Sequence, residues 1–226
     1  MWGYYGSKSK IVNNYPTPKY DKIIEPFAGT AQYSLKYFEK EVLLVEKYDV
    51  IVRLWKWLQG CSKKDILGLP QLKFRENVDD FKWDCIEAKW LVGFIITGAP
   101  AQPKKSASKW KTIIRPNTQT YKLNMIAENL YKIKHWKIEE GDYKDIKNEK
   151  ATWFIDPPYQ FGGQYYKFGN KNIDYSSLSD WCLKRKGEAI ICENSKADWM
   201  KFSPLCEMTG NKFKTMECMF YKKGKK

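Results

Sequence analysis

Lys22-Ile23-Ile24-Glu25-Pro26-Phe27-Ala28-Gly29-Thr30-Ala31 is the stretch on which the fold turns. Residues 22–27 read as a short strand closed by a Pro-Phe-Ala-Gly turn, and Tyr33, Leu35, Tyr37 and Phe38 follow at helical spacing across 31–38. The pattern then repeats. Residues 42–45 form an apolar run closed by Glu46, and 50–58 set Val, Leu and Trp on one helical face. Two β–α units in tandem imply strands paired in parallel, which puts the chain in the α/β class.

Working outward, three further strands are expected at 136–139, 151–155 and 188–192, with a helix at 176–185 between the last two and a β-rich piece at 213–221 before a lysine tail. The stretch between the second β–α unit and Trp136 has another texture. Residues 82–96 look helical, but 98–121 are rich in Pro, Ser, Thr and Lys without periodicity, as an insertion would be. The expected organisation is a catalytic domain made of 1–59 and 136–226, interrupted by an inserted region at 60–135. A length of 226 residues suits one core of this kind.

Charge narrows the partner. Forty Lys and Arg against 26 Asp and Glu leave a formal charge of +14, which calls for a polyanion: nucleic acid or an anionic membrane. No run approaches the ~20 apolar residues that span a bilayer, and the Met1 end has no apolar signal core, so the membrane reading falls away. Cys61, Cys85, Cys182, Cys192, Cys206 and Cys218 are scattered without a Cys-x-x-Cys pair, and His135 is the single histidine. Zinc-ligand spacing is therefore missing, and the cysteines read as reduced intracellular thiols.

The sharpest chemical signal is Asp156-Pro157-Pro158-Tyr159, directly after the apolar run Trp153-Phe154-Ile155. A given tetrapeptide arises by chance in a chain this long on the order of once per thousand proteins. Its place matters as well, because open α/β sheets put ligands at the carboxyl ends of their strands. A proline-rich turn after a core strand is the plain alternative. The chemistry of the tetrapeptide suits an exocyclic amine. Such a nitrogen is a poor nucleophile until its lone pair leaves the ring, and acceptors aimed at its two hydrogens favour that change. The Asp156 carboxylate and the Pro157 carbonyl supply two acceptors, and Tyr159 supplies a ring on which a flipped base can stack. No Pro-Cys dipeptide is present, which sets aside carbon-5 cytosine chemistry.

A second signal is the turn Glu25-Pro26-Phe27-Ala28-Gly29-Thr30, where Gly29 lets the backbone approach a ligand and the helix starting near Ala31 presents amides. Glu46 follows ~20 residues on, where nucleotide-binding sheets carry the acid that accepts from ribose hydroxyls. An isolated acid there is more often simply solvated; beside this turn the ribose reading is favoured.

Taken together, Tyr4-Tyr5-Gly6-Ser7-Lys8, Glu25-Pro26-Phe27-Ala28-Gly29, Glu46, Gly141-Asp142-Tyr143 and Asp156-Pro157-Pro158-Tyr159 resemble the ordered motifs of Dam-type (alpha-class motif order) adenine-N6 DNA methyltransferases. The resemblance implies a Rossmann-like S-adenosylmethionine-dependent methyltransferase sheet with a small inserted target-recognition region. It nominates Lys8 for the methionine carboxylate of S-adenosylmethionine, with Tyr4, Gly6 and Ser7 beside it. It assigns the methionine portion to the Glu25, Phe27, Ala28, Gly29 and Thr30 turn and the ribose to Glu46. Asp142 and Tyr143 fall to the cofactor adenine, and Asp156, Pro157, Pro158 and Tyr159 to the target base, with Asp156 also facing the cofactor. Two departures stand out. Ala31 replaces the family's second glycine, and Thr97-Gly98-Ala99-Pro100-Ala101-Gln102-Pro103-Lys104-Lys105 replaces its usual recognition pattern, so the target sequence does not carry over.

On its own terms the insertion suits double-stranded DNA. Lys104, Lys105, Lys109 and Lys111 can neutralise phosphates, Arg115 and Asn117 can reach base edges, and Trp110 can wedge or stack, although a solvated loop explains any one of them equally well. Cytosine-N4 and RNA amino-methylation, an inactive nucleic-acid-binding relative and a small-amine methyltransferase stay open, with Asp at the first motif position leaning to adenine. The resemblance further implies a stand-alone modification enzyme marking DNA against restriction, in a bacterial or virus-infected bacterial cytoplasm. His135 and the turn Glu193-Asn194-Ser195 read as structural, the latter with a place on the rim as the alternative.

Overall fold

A computed structural model of the chain describes residues 1–209 and 214–224. In chain order the elements are β1 (Lys22–Glu25), α1 (Gln32–Lys36), β2 (Glu41–Glu46), α2 (Asp49–Gly60), α3 (Lys63–Leu67), α4 (Ile86–Ile95), α5 (Thr118–Asn129), β3 (Lys137–Glu140), β4 (Ala151–Ile155), α6 (Tyr175–Leu183), β5 (Gly187–Asn194), β6 (Ser203–Thr209) and β7 (Lys214–Lys222). Instead of the single core expected, the chain forms two compact units: Met1–Ser7 with Asp49–Lys134, and Lys8–Tyr48 with His135–Lys226. Helix α2 and the first seven residues thus group with the stretch read as an insertion, not with the sheet.

The second unit is built on one seven-stranded sheet in the order β3-β2-β1-β4-β5-β7-β6. β3, β2, β1, β4 and β5 run parallel, while β7 pairs antiparallel with both β5 and β6. This is the Rossmann-like sheet expected, following the doubly wound order 3-2-1-4-5 and finishing in a reversed hairpin. All five residues of β4 are buried, as a central strand covered on both faces requires. Trp153 and Ile155 face a core with Ile24, Ala189, Ile191 and, from α6, Leu178 and Cys182. Phe154 points the other way, stacked on Tyr33 at 4.3 Å and edge-on to Tyr15 at 5.0 Å. Gly187 begins β5 at φ +89°, and a Cβ there would lie 2.2 Å from the Ala151 carbonyl oxygen, so only glycine fits beside β4.

The expected elements are all present with shifted ends. The first strand stops at Glu25 and the following helix keeps only Gln32–Lys36 of 31–38. The last strand begins at Lys214; Phe213 and the final two lysines of the tail lie outside the described residues.

The first unit is helical. Trp2 packs on Trp55 at 4.9 Å and on Phe94 at 6.2 Å. The stretch at 98–121, in which the sequence shows no periodicity, holds one side of an isolated antiparallel bridge between Asn77 and Ser106, a π-helical turn at Trp110–Ile114 and the start of α5. It is pinned to α4 where the Lys104 amide donates to the Gly93 carbonyl at 3.0 Å. Gln119 braces it from α5, bonding both the amide and the carbonyl of Leu72 at 3.0 and 2.7 Å.

Candidate active site

Four of the motifs lie at one edge of the sheet in the second unit. The Glu25 turn follows β1, Glu46 ends β2, Gly141-Asp142-Tyr143 follows β3, and Asp156-Pro157-Pro158-Tyr159 follows β4. Because these strands are parallel, their carboxyl ends share an edge. The strand order reverses between β1 and β4, and at such a switch point the loops diverge and leave a crevice. Asp156 is the first residue beyond β4 at that point.

Asp156 does not stand alone. Lys8 Nζ lies 2.7 Å from Asp156 Oδ1 and 3.7 Å from Glu217 Oε1. It also sits 4.6 Å from the centroid of the Tyr159 ring. Glu217 Oε1 in turn accepts from the Tyr15 hydroxyl at 2.5 Å and from the Tyr159 hydroxyl. The Lys8 and Glu217 side chains keep 5% and 3% of their exposure and Asp156 keeps 19%, so Asp156 is the charged member that an incoming ligand can reach.

Electrostatics follow from this burial. Desolvation pushes the Asp156 carboxyl up to about 6, with the charge of Glu217 adding to it and Lys8 opposing it. Desolvation would pull the Lys8 ammonium down, but Asp156 and Glu217 overcome it and hold Lys8 well above an ordinary lysine. Burial, with Asp156 and Glu217 nearby, drives the Tyr159 phenol far up, so it stays a neutral donor.

Glu217 and Tyr15 are the two members of this cluster that the sequence does not single out. The register sets Glu217 opposite Asn194, level with the carboxyl end of β5, which delivers its side chain to the same edge as Asp156. The one available signal is an acid between Met216 and Cys218, interrupting the run of apolar and aromatic residues at 216–221.

Glu46 is fixed by three backbone amides: Gly29 donates to Oε2 at 3.0 Å, and Lys47 and Tyr48 donate to Oε1 at 2.9 and 3.0 Å. Burial raises its carboxyl and the three amides oppose that. Asp142 pairs with Lys47 at 2.9 Å and accepts from the Lys144 amide at 3.1 Å. Burial would raise its carboxyl, but Lys47 and that amide bring it below the usual range.

Glu25 turns inward and accepts from the Ser34 amide at 2.8 Å, so one of the helix amides expected to face a ligand is capped from within. Burial pushes Glu25 up to about 8, against that bond. Within the turn, Gly29 and Ala31 both adopt left-handed φ, +46° and +43°, Ala28 and Thr30 are buried, and Phe27 lies 5.2 Å from Tyr143. Tyr143 is a core residue, edge-on to Trp181 at 5.1 Å. The Glu193 side chain accepts from the Gln160 amide at 2.8 Å and Trp199 Nε1 at 3.0 Å, which braces the chain just after Tyr159.

Tyr4, Gly6 and Ser7 belong to the helical unit. There the Tyr4 ring is buried edge-on to Phe94 at 5.8 Å, and Gly6 at φ +73° closes a turn in which the Ser7 amide donates to the Tyr4 carbonyl. In the same unit Trp110, Ile113 and Ile114 are about half exposed, and the Arg115 guanidinium lies over the Trp110 ring at 4.9 Å. Lys104, Lys109 and Asn117 are exposed and Lys111 half-buried. Lys105 is not a bare cation: it shares Asp79 with Lys89, at 2.9 and 2.5 Å. Asp79 meets Lys105 from outside the lysine-rich stretch at 98–121.

No protein-family model matches the chain, and no curated protein is similar to it in sequence. Among solved structures it is similar to "Putative methyltransferase yhhF from Escherichia coli", with 10% identity and a TM-score of 0.39 over 90% of this chain and 76% of that one.

Proposed function

We propose that the chain transfers a methyl group from S-adenosylmethionine to the N6 amine of an adenine in DNA. The observation that carries this reading is the Asp156 carboxylate at the strand-order switch, ion-paired by Lys8, partly exposed, and followed at once by Pro157, Pro158 and Tyr159.

The donor set at the edge fits the cofactor. Glu46, locked by three amides, is held rigidly with acceptor capacity left on Oε2 for one ribose hydroxyl, and Asp142 supplies an acceptor one strand further out. Gly29 keeps the backbone free of a side chain in the turn between them and Asp156. Lys8, paired with Asp156 and Glu217 and keeping 5% of its exposure, serves the two acids of the site and is not offered to the carboxylate end of the cofactor. The cofactor brings an already activated methyl group, so no protein nucleophile is required.

The chain's own work is done on the amine. Asp156 accepts one of its hydrogens, and since the Pro158 carbonyl is engaged by the Tyr175 hydroxyl at 2.6 Å, the Pro157 carbonyl is the acceptor assigned to the other. Both acceptors strengthen as the nitrogen becomes tetrahedral and positive, which lowers the barrier more than it stabilises the ground state. A carboxylate whose pKa is raised to about 6 also accepts the departing proton more readily than an ordinary aspartate. Tyr159, tied by its hydroxyl to Glu217, holds its ring still for a flipped base to stack on.

Labelled methyl transfer to mixed-sequence double-stranded DNA, with nucleoside analysis of the product, tests the reading. N6-methyladenine is expected, and Asp156→Ala should lose transfer while retaining cofactor binding. N4-methylcytosine would move the base, and wild-type turnover by Asp156→Ala would remove Asp156 from the chemistry.

A further inference from the structure

The segment at 160–172, directly after the Asp-Pro-Pro-Tyr motif, exposes three aromatic rings: Phe161 at 50%, Tyr165 at 62% and Phe168 at 40%. We propose that this segment is a stacking platform for the bases that flank the methylated one in an opened DNA strand, an inference that rests on the function proposed above.

Three observations carry it. The first is the exposure itself. Large rings turned to solvent beside a catalytic carboxylate are unfavourable for the isolated chain, whereas unpaired bases offer each of them a π-face. The second is rigidity. The Gly163 amide donates to the Tyr159 carbonyl at 3.0 Å, and a Cβ at Gly163 would lie 3.0 Å from the Pro158 carbonyl carbon, so the segment starts in contact with the motif. Asn170 Nδ2 donates to the Gln160 carbonyl at 2.7 Å and Asn194 Nδ2 to the Phe161 carbonyl at 2.6 Å. Gln160 and Asp198 exchange two more bonds, from Gln160 Nε2 to Asp198 Oδ1 at 3.0 Å and from the Asp198 amide to Gln160 Oε1 at 3.1 Å. Gly162 and Gly169, at φ +106° and +62°, make the turns that present the rings. The platform is therefore held at a fixed place relative to Asp156.

The third observation is charge. No acid occurs from Gln160 to Ile173, Lys167 and Lys171 are exposed, and Lys47 Nζ lies 5.5 Å from the centroid of the Phe168 ring. Aromatic rings interleaved with cations match a strand that alternates bases and phosphates. A flipped adenine leaves its neighbours partly unstacked, and rings set beside the motif compensate that loss.

The test measures binding of the full-length protein to two fluorescent DNA probes, one fully paired and one with a short unpaired stretch, alongside methyl-transfer kinetics. Phe161→Ala, Tyr165→Ala and Phe168→Ala should each weaken binding to the unpaired probe by about 5- to 150-fold, with little change in thermal midpoint. Tyr165→Phe and Phe168→Tyr, which keep a ring, should bind as wild type does. Kinetically the alanine variants should raise KM for DNA more than they lower kcat. Alanine variants that bind the unpaired probe normally, or a wild type that binds neither probe, would overturn the platform. Methylation of DNA by wild type with normal binding by the variants would leave the proposed function standing without it; ring-dependent binding without any transfer would do the reverse.

Discussion

The Tyr159 hydroxyl donates to Glu217, a carboxylate delivered from the antiparallel strand β7 and shared with the Tyr15 hydroxyl. The same oxygen lies 3.7 Å from Lys8, so Glu217 touches both the Tyr159 phenol and the cation that holds Asp156. Its negative charge is one of the causes that raise Asp156 to about 6. Glu217→Gln keeps an acceptor for the hydroxyls and removes that charge, so Asp156 should ionise at lower pH. If Asp156 must be ionised to accept from the amine, the acid limb of kcat/KM for methyl transfer should move below its wild-type position near 6. A pH–rate profile reads this, and an unmoved limb would detach Glu217 from the electrostatics of the site.

Lys8→Met should cost stability in a pH-dependent way. It leaves Asp156 and Glu217 without their buried cation, a loss typically of about 3–5 kcal/mol when both partners stay charged. Asp156, at about 6 with Lys8 beside it, moves higher once that cation is gone, so the variant takes up a proton that wild type has released as pH rises past 6, and the deficit should be largest near pH 8 and smaller near pH 5. Thermal melts of variant and wild type at both pH values check the sign; an equal deficit at both would contradict it.

Ala31 carries a local penalty. An L-residue at φ +43° is strained by roughly 1–2 kcal/mol, while glycine is at ease there. After the extra unfolded-state entropy of glycine is subtracted, Ala31→Gly should be neutral to stabilising by about 1 kcal/mol, a rise of about 2–4 °C in Tm for a chain of this size. A fall in Tm would mean that the Ala31 methyl packs more favourably than its backbone is strained.

If the helical unit holds DNA phosphates, its exposed cations should not count equally. Lys109→Ala and Arg115→Ala should each reduce the slope of log K against log salt by about 0.9 for every phosphate that the side chain neutralises. Lys105→Ala should reduce it less, since its ammonium is shared with Asp79. Equal slopes in all three variants and wild type would place the DNA surface elsewhere.

How much of the fold is legible in the sequence follows from burial. β1, β2 and β4 are covered on both faces, so they appear as continuous apolar runs stopped by Pro, Gly or an acid, and all three can be read directly. β6 cannot: Ser203-Pro204-Leu205-Cys206-Glu207-Met208-Thr209 is an edge strand with a proline and a register shift, and its sequence has no such run. Helix α3 is five residues long, too short for periodicity, although Ser62 and Asp65 form a capping box at its start. In α5 the apolar residues are few among Thr, Asn and Lys, which hides the helix inside a loop-like composition. At the site, contiguous motifs are visible because their spacing is local. Glu217 is invisible because its role depends on a strand register that pairs it with Asn194, and no local pattern encodes that.

The reversed hairpin has a consequence for the timing of synthesis. β6 is made before β7 yet pairs only with β7 among the described strands, so it has no berth on the sheet until the later strand slots in beside β5. The Tyr15–Glu217 bond spans 202 positions, among the slowest kinds of contact to close. A ribosome-bound chain that already displays Asp156 and Tyr159 therefore lacks the acid that ties down Tyr159 and shares Lys8. Under the proposed activity, half-made copies carry Asp156 and Tyr159 without the acid that positions and tunes them, and the late hairpin completes the site when it docks.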